Sequence, residues 1–137
     1  MIIKKTYHFY AAHRNKGAGE KCGRIHGHTY DVVLHFKYQP SDIDSNGVTC
    51  LFSDLDAGAE PIIKEYDHKF LLAEWDDLCG MLDLANEPYE SLPFETSCEN
   101  LAMWLATRIK NETGLPLTRI ELAETKSSTV IYDTSNL

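Results

Sequence analysis

From His26 to Tyr38 the chain alternates. His26, His28, Tyr30, Val32, Leu34, Phe36 and Tyr38 share one parity, and Thr29, Asp31, His35 and Lys37 hold the other. A period of two is the pattern of a strand with one buried and one solvated face, so this segment commits the fold to a sheet covered on one side. Tyr7 to His13 repeats the pattern, with Tyr7, Phe9, Ala11 and His13 opposed to Thr6, His8, Tyr10 and Ala12. Residues 14–25 between the two segments carry Gly17, Gly19 and Gly23 and read as a loop. Residues 39–47 (QPSDIDSNG) are turn chemistry. The two strands are therefore expected side by side in an antiparallel sheet.

Helical spacing follows. Ser53 or Asp54 is the expected cap of a helix running to about Tyr66, with Leu55, Ile62, Ile63 and Tyr66 as its apolar side and Pro61 as a point of strain. Thr96-Ser97-Cys98-Glu99 has the spacing of a capping box ahead of Leu101, Trp104, Leu105 and Ile109, and Gly114 and Pro116 end that helix. Leu117–Thr125 alternates again, and Thr129–Tyr132 forms a last short strand. Residues 69–95 show no sustained period and receive no assignment. Two strands, two helices and two strands predict an α+β fold, read as one domain over residues 1–137.

Charge narrows the partners. Thirteen Lys and Arg stand against 21 Asp and Glu, a net charge of −8, which argues against nucleic acid because phosphate binding needs a basic surface. No apolar run reaches the roughly 18 residues of a membrane span. Lys4 and Lys5 lie where a signal peptide needs its apolar stretch, so a cytoplasmic location is expected, with Cys22, Cys50, Cys79 and Cys98 as free thiols.

The histidines carry the chemistry. In His26-Gly27-His28 the two imidazoles leave one face of a strand about 6.6–6.8 Å apart along it, close enough to converge on one ion. His13 closes the preceding strand with the matching parity. Three neutral imidazoles fit Zn²⁺ and leave a fourth position open, as in catalytic rather than structural sites. Cys22, four residues before His26 and flanked by Lys21 and Arg24, has three readings: an activated thiolate, an inert small residue, or a fourth metal ligand. Asp67-His68 pairs a carboxylate with an imidazole, although neighbours on a regular element rarely face each other. Glu124 shares the parity of Ile120 and Leu122, so it needs a partner, either a ligand with N–H donors or an internal Arg. Glu99 is accounted for by the capping box.

Together, Ala11-Ala12-His13-Arg14, the run Lys21 to Tyr30 (KCGRIHGHTY), Asp54, Asp67-His68, Thr96-x-x-Glu99-Asn100 and Glu124-Thr125 resemble the 6-pyruvoyl tetrahydropterin synthase and 6-carboxytetrahydropterin synthase family. The resemblance implies a tunnelling (T-) fold, a four-stranded antiparallel sheet with two helices on one face. Such chains associate through their sheets into a trimeric β-barrel, and two barrels stack as a hexamer. It also implies zinc on His13, His26 and His28, Cys22 as general base, Asp67 with His68 as a proton relay across a subunit interface, and Glu124 as the anchor of the pterin ring.

The spacing of Cys22 to His26 matches the bacterial 6-carboxytetrahydropterin synthases. These convert 7,8-dihydroneopterin triphosphate to 6-carboxytetrahydropterin, acetaldehyde and triphosphate on the way to queuosine. The alternatives are a 6-pyruvoyl tetrahydropterin synthase, which keeps the side-chain carbons, and a non-catalytic zinc- or pterin-binding module. The presence of Cys22, Asp67, His68 and Glu124 together argues against a binding module, which would need no base. Residues 14–24, with four cations against Glu20, are expected to help hold the triphosphate. The 27 residues from Lys69 to Glu95 depart from the family's short link and are expected to reshape the pocket mouth or the interface.

Overall fold

A computed structural model of the chain describes residues 1–136, so the last position of the domain expected over 1–137 lies outside the described residues. The elements run β1 (Ile2–His13), β2 (His26–Lys37), α1 (Phe52–Lys64), β3 (Lys69–Ala73), α2 (Leu78–Ala85), β4 (Tyr89–Leu92), α3 (Cys98–Thr113), β5 (Leu117–Thr125) and β6 (Ser128–Asp133). The strands make one sheet in the order β4-β3-β1-β2-β5-β6.

The alternation read from the sequence is the packing pattern observed. β1 and β2 pair antiparallel along their whole length, from Ile2 opposite Lys37 to His13 opposite His26. Tyr7, Phe9, Ala11 and His13 are buried on the same face as Tyr30, Val32, Leu34 and Phe36. β5 adds Ile120 and Leu122 to that face, and α1 and α3 cover it with Leu55, Ile63, Leu101, Leu105 and Ile109. Each fully buried side chain of this kind contributes about 1.5–3 kcal/mol relative to exposure.

The expected four-stranded antiparallel sheet is corrected to six strands, because residues 69–95 are structured. β3 runs parallel to β1 and β4 parallel to β3, joined through α2. Leu71 enters the main core, while Leu72 points to the other face and packs with Leu78 and Leu82. Successive strand residues face opposite ways, so this third helix lies on the side away from α1 and α3. A strand buried on both faces shows a continuous apolar run (Phe70-Leu71-Leu72-Ala73) instead of alternation, which is why no period was legible there.

Two helix starts also differ from expectation. α1 begins at Phe52 behind Leu51, with no side-chain cap from Ser53 or Asp54, and continues through Pro61 to Lys64. At α3 the cap is Ser97, whose Oγ accepts from the Asn100 N–H at 3.2 Å. Thr96 is instead buried, its hydroxyl donating to the Leu71 carbonyl. Gly114 ends α3 in the left-handed conformation, φ 67°, as the sequence implied. No helix among the described residues is long and apolar enough to cross a membrane.

These caps make a direct test. Ser97→Ala should lower unfolding free energy by about 1 kcal/mol in urea titration. Glu99→Ala, which removes the acid or amide a capping box needs, should cost clearly less, and a matching loss there would restore the Thr96–Glu99 capping box.

Candidate metal centre and active site

The β1–β2 register assembles the histidines. His13 and His26 are directly opposed, and His28 is opposite Ala11, two residues along the same face. The ring centroids lie 4.5 Å (His13–His26), 5.2 Å (His13–His28) and 4.9 Å (His26–His28) apart. One ligand atom from each lies within 4.8 Å of the others, close enough to hold a single metal ion.

Hydrogen bonding selects the nitrogen that each ring offers. His13 Nδ1 is 2.7 Å from the Thr96 carbonyl oxygen, and His26 Nδ1 is 2.7 Å from that of Arg24. A carbonyl only accepts, so both Nδ1 atoms carry the proton and both Nε2 atoms keep a free lone pair. His13 Nε2 and His28 Nε2 are buried without a hydrogen-bond partner. A buried polar atom left unpaired costs about 1–3 kcal/mol, which an ion at the centre of the cluster removes. Burial pushes His13 down to about 4 and also lowers His28, so both are neutral rings near pH 7, the form that ligates. The donor set therefore fits a divalent transition metal. Thr96 and Arg24 act through their backbone, and no motif in the sequence reveals that.

Tyr30 lies beneath the cluster, 6.1 Å from His13 and 5.5 Å from His28 between ring centroids, stacked on Phe9 at 4.7 Å. Its buried hydroxyl has no partner, and burial raises its pKa. Glu124 faces the imidazoles, with Oε1 3.8 Å from His13 Nε2 and Oε2 3.7 Å from His28 Nε2. Its neighbours are histidines, not the internal Arg that was one of its two expected partners.

A pocket of about 290 Å³ opens over this cluster, lined by His13, Cys22, His26, Cys98, Glu99 and Glu124 among others. Cys22 is exposed and stands outside the 4.8 Å cluster of ligand atoms. Cys98 donates to the Leu122 carbonyl at 3.3 Å, and burial, reinforced by Glu124, pushes its thiol up to about 12. Glu99, expected to be spent on a cap, is free to face the pocket.

Asp67 and His68 do pair, contrary to the expectation for neighbouring residues: Asp67 Oδ2 is 2.9 Å from His68 Nδ1. The reason is local, since His68 takes a left-handed φ of 58° that breaks the regular path. Tyr10 braces the turn, its N–H donating to Asp67 Oδ1 at 2.9 Å and its carbonyl accepting from the His68 N–H at 2.6 Å. That N–H, and then His68, holds the Asp67 carboxyl below the usual carboxylate range. The dyad does not line the Cys22 pocket. His68 borders another hollow of about 470 Å³, lined also by Tyr10, His28, Thr29 and Phe70.

The cations of residues 14–24 are mostly paired within the chain. Arg14 Nε donates to Asp76 at 2.9 Å, its Nη2 reaches Asp77 at 2.9 Å, and Lys16 reaches Asp77 at 2.8 Å. Arg24 pairs with Glu20 at 2.7 Å. Among the described residues, Lys21 alone of the four has no acidic partner.

The thiols supply the test. An unfolded Cys98 ionises near 9, whereas the folded one stays a thiol below about 12. At pH 8.5, iodoacetamide should modify exposed Cys22 at least about a hundredfold faster than Cys98, with denaturant abolishing the difference. Equal rates in the folded protein would mean that Cys98 is not buried as described.

The family model for 6-pyruvoyl tetrahydropterin synthase matches residues 2–135. The 6-carboxy-5,6,7,8-tetrahydropterin synthase of Haemophilus influenzae is 28% identical over 139 residues, covering 95% of this chain and 96% of its own. The protein of the same name from Synechocystis sp. is 29% identical over 136 residues, covering 96% and 92%. The solved 6-pyruvoyl tetrahydropterin synthase of Caenorhabditis elegans has a TM-score of 0.74 at 20% identity, covering 98% of this chain and 96% of its own, so the two share a fold.

Proposed function

The chain belongs to the 6-pyruvoyl tetrahydropterin synthase family, and on that premise we propose that it is a zinc-dependent carbon–carbon lyase. Its reaction converts 7,8-dihydroneopterin triphosphate to 6-carboxytetrahydropterin with release of acetaldehyde and triphosphate, a cytoplasmic step toward queuosine. It works as a single-domain subunit of a homo-oligomer, a trimer or hexamer. The observation that carries this reading is the convergence of three imidazoles, two of them with buried, unpartnered Nε2 atoms, beside Cys22 and Glu124. The carboxy-forming reaction is favoured by two relatives of that name matched over nearly the whole chain, and by the four-residue step from Cys22 to His26.

His13, His26 and His28 are the residues that hold zinc. Bound there, zinc supplies Lewis acidity that makes the C–H positions beside the substrate's side-chain oxygens easier to deprotonate. Cys22 Sγ, at the pocket wall, takes that proton. Glu124 accepts from the amino and ring N–H groups of the pterin, with charge-assisted hydrogen bonds that fix the ring. Tyr30 and Phe9 close the floor and keep water from beneath the imidazoles. His68, oriented by Asp67, carries protons onward from a neighbouring subunit, which accounts for a dyad that is well built yet outside its own chain's Cys22 pocket.

Elemental analysis should find about one zinc per chain; His28→Ala should lose most of it, and Cys22→Ala should keep it. A Cys22→Ala protein without metal would make that residue a ligand. Mixing inactive Cys22→Ala and His68→Ala subunits should restore part of the activity, and no recovery after verified exchange would place the site within one chain.

The reaction itself is decided by its products. With dihydroneopterin triphosphate, coupled alcohol dehydrogenase should report one acetaldehyde per turnover, and mass spectrometry should report the 6-carboxy pterin. Triphosphate release without acetaldehyde, with a 6-pyruvoyl product, would establish the other family reaction.

A further inference from the structure

The loop that carries Cys22 is held by residues of the segment 69–95. Arg14 and Lys16 are tied to Asp76 and Asp77, 61 to 63 residues away in sequence, by hydrogen bonds from Arg14 Nε (2.9 Å), Arg14 Nη2 (2.9 Å) and Lys16 Nζ (2.8 Å). Arg14 Nη2 also meets Asp76 Oδ1, so the Arg14–Asp76 pair is bidentate. Asp76 is itself fixed. Its side chain is 7% exposed, and its Oδ1 accepts from the Leu78 N–H at the start of α2. Between the two clamped cations, the Asn15 N–H donates to the carbonyl of Cys22 at 2.7 Å. Hydrogen bonds and the covalent backbone of residues 14–15 thus link the start of α2 to the backbone of Cys22. At the other end, Gly23 donates to Gly19, and a Cβ at Gly23 would meet that carbonyl oxygen at 2.8 Å, so the return of the loop is tight as well.

We propose that Asp76 and Asp77 are positioning residues that hold Cys22 against the pocket by clamping Arg14 and Lys16. They do not touch substrate. They also take up two of the loop's cations, so the segment 69–95 sets both the place of the thiol and the charge around it. This inference rests on the reading of Cys22 as the base, but the clamp has a readout of its own in thiol chemistry.

The test uses the full-length, metal-loaded protein with Asp76→Asn, Asp76→Glu and Asp77→Asn, following both turnover and Cys22 alkylation by iodoacetamide with peptide mass spectrometry. Releasing the loop frees the Cys22 thiol, which is exposed but held at the pocket wall, so that reagent reaches it from more directions. Alkylation of Cys22 should rise roughly threefold or more in Asp76→Asn while Cys98, the internal control for unfolding, stays protected. In the same variant kcat should fall about ten- to a hundredfold with KM within about twofold, because a misplaced base loses rate rather than binding. Asp77→Asn should move both quantities the same way by less, and Asp76→Glu should recover most of both. Wild-type alkylation and kcat in folded Asp76→Asn and Asp77→Asn would overturn the clamp. Full activity of Cys22→Ala would overturn the reading of Cys22 as base while leaving the alkylation result to decide the clamp.

Discussion

The site depends on one constraint, the register of β1 on β2. Directly opposed strand residues share a face, so pairing His13 with His26 puts His28 on that face as well, one step along. A slip of one residue would turn one strand's whole set of side chains to the other face. The register is held along its length because the same face carries Tyr7, Phe9, Tyr30, Val32, Leu34 and Phe36 into the core. The histidine cluster is thus the open end of the hydrophobic core, positioned by packing that reaches back to Tyr7 on β1 and Phe36 on β2.

Burial at that end has chemical consequences. It keeps His13 and His28 neutral, holds Cys98 as a thiol and raises the pKa of Tyr30. Glu124 is the charge that faces these groups, and its distance from both Nε2 atoms leaves the nitrogens free for an ion. A chain with net charge −8 presents few unpaired cations here, because Asp76, Asp77 and Glu20 answer Arg14, Lys16 and Arg24.

What was legible in the sequence follows from local physics. Period-two segments revealed β1, β2 and β5, apolar spacing and Gly114 revealed α3, and the parity of His13, His26 and His28 predicted their common face. What was hidden depends on distant partners. The run Phe70 to Ala73 is buried on both faces and has no alternation, so β3, α2 and β4 went unassigned. The pairing of Asp67 with His68 needs a left-handed residue braced by Tyr10, and the clamp on Arg14 needs acids from the far side of α1. The Thr96 and Arg24 carbonyls that set the His13 and His26 tautomers are backbone groups, which carry no residue signature. At α3 the pattern Thr96-x-x-Glu99 was present, but Ser97, one residue later, made the bond.

The central claim is that the three imidazoles form the metal centre and leave Cys22 free. X-ray absorption at the zinc edge of the loaded protein measures the ligand shell directly. The account predicts nitrogen or oxygen scatterers alone at about 2.0–2.1 Å, with the multiple-scattering signature of three imidazoles and no sulfur. A sulfur shell at about 2.3 Å, present in the native protein and lost in Cys22→Ala, would contradict it, because the thiol would then be closing the site instead of working at its edge.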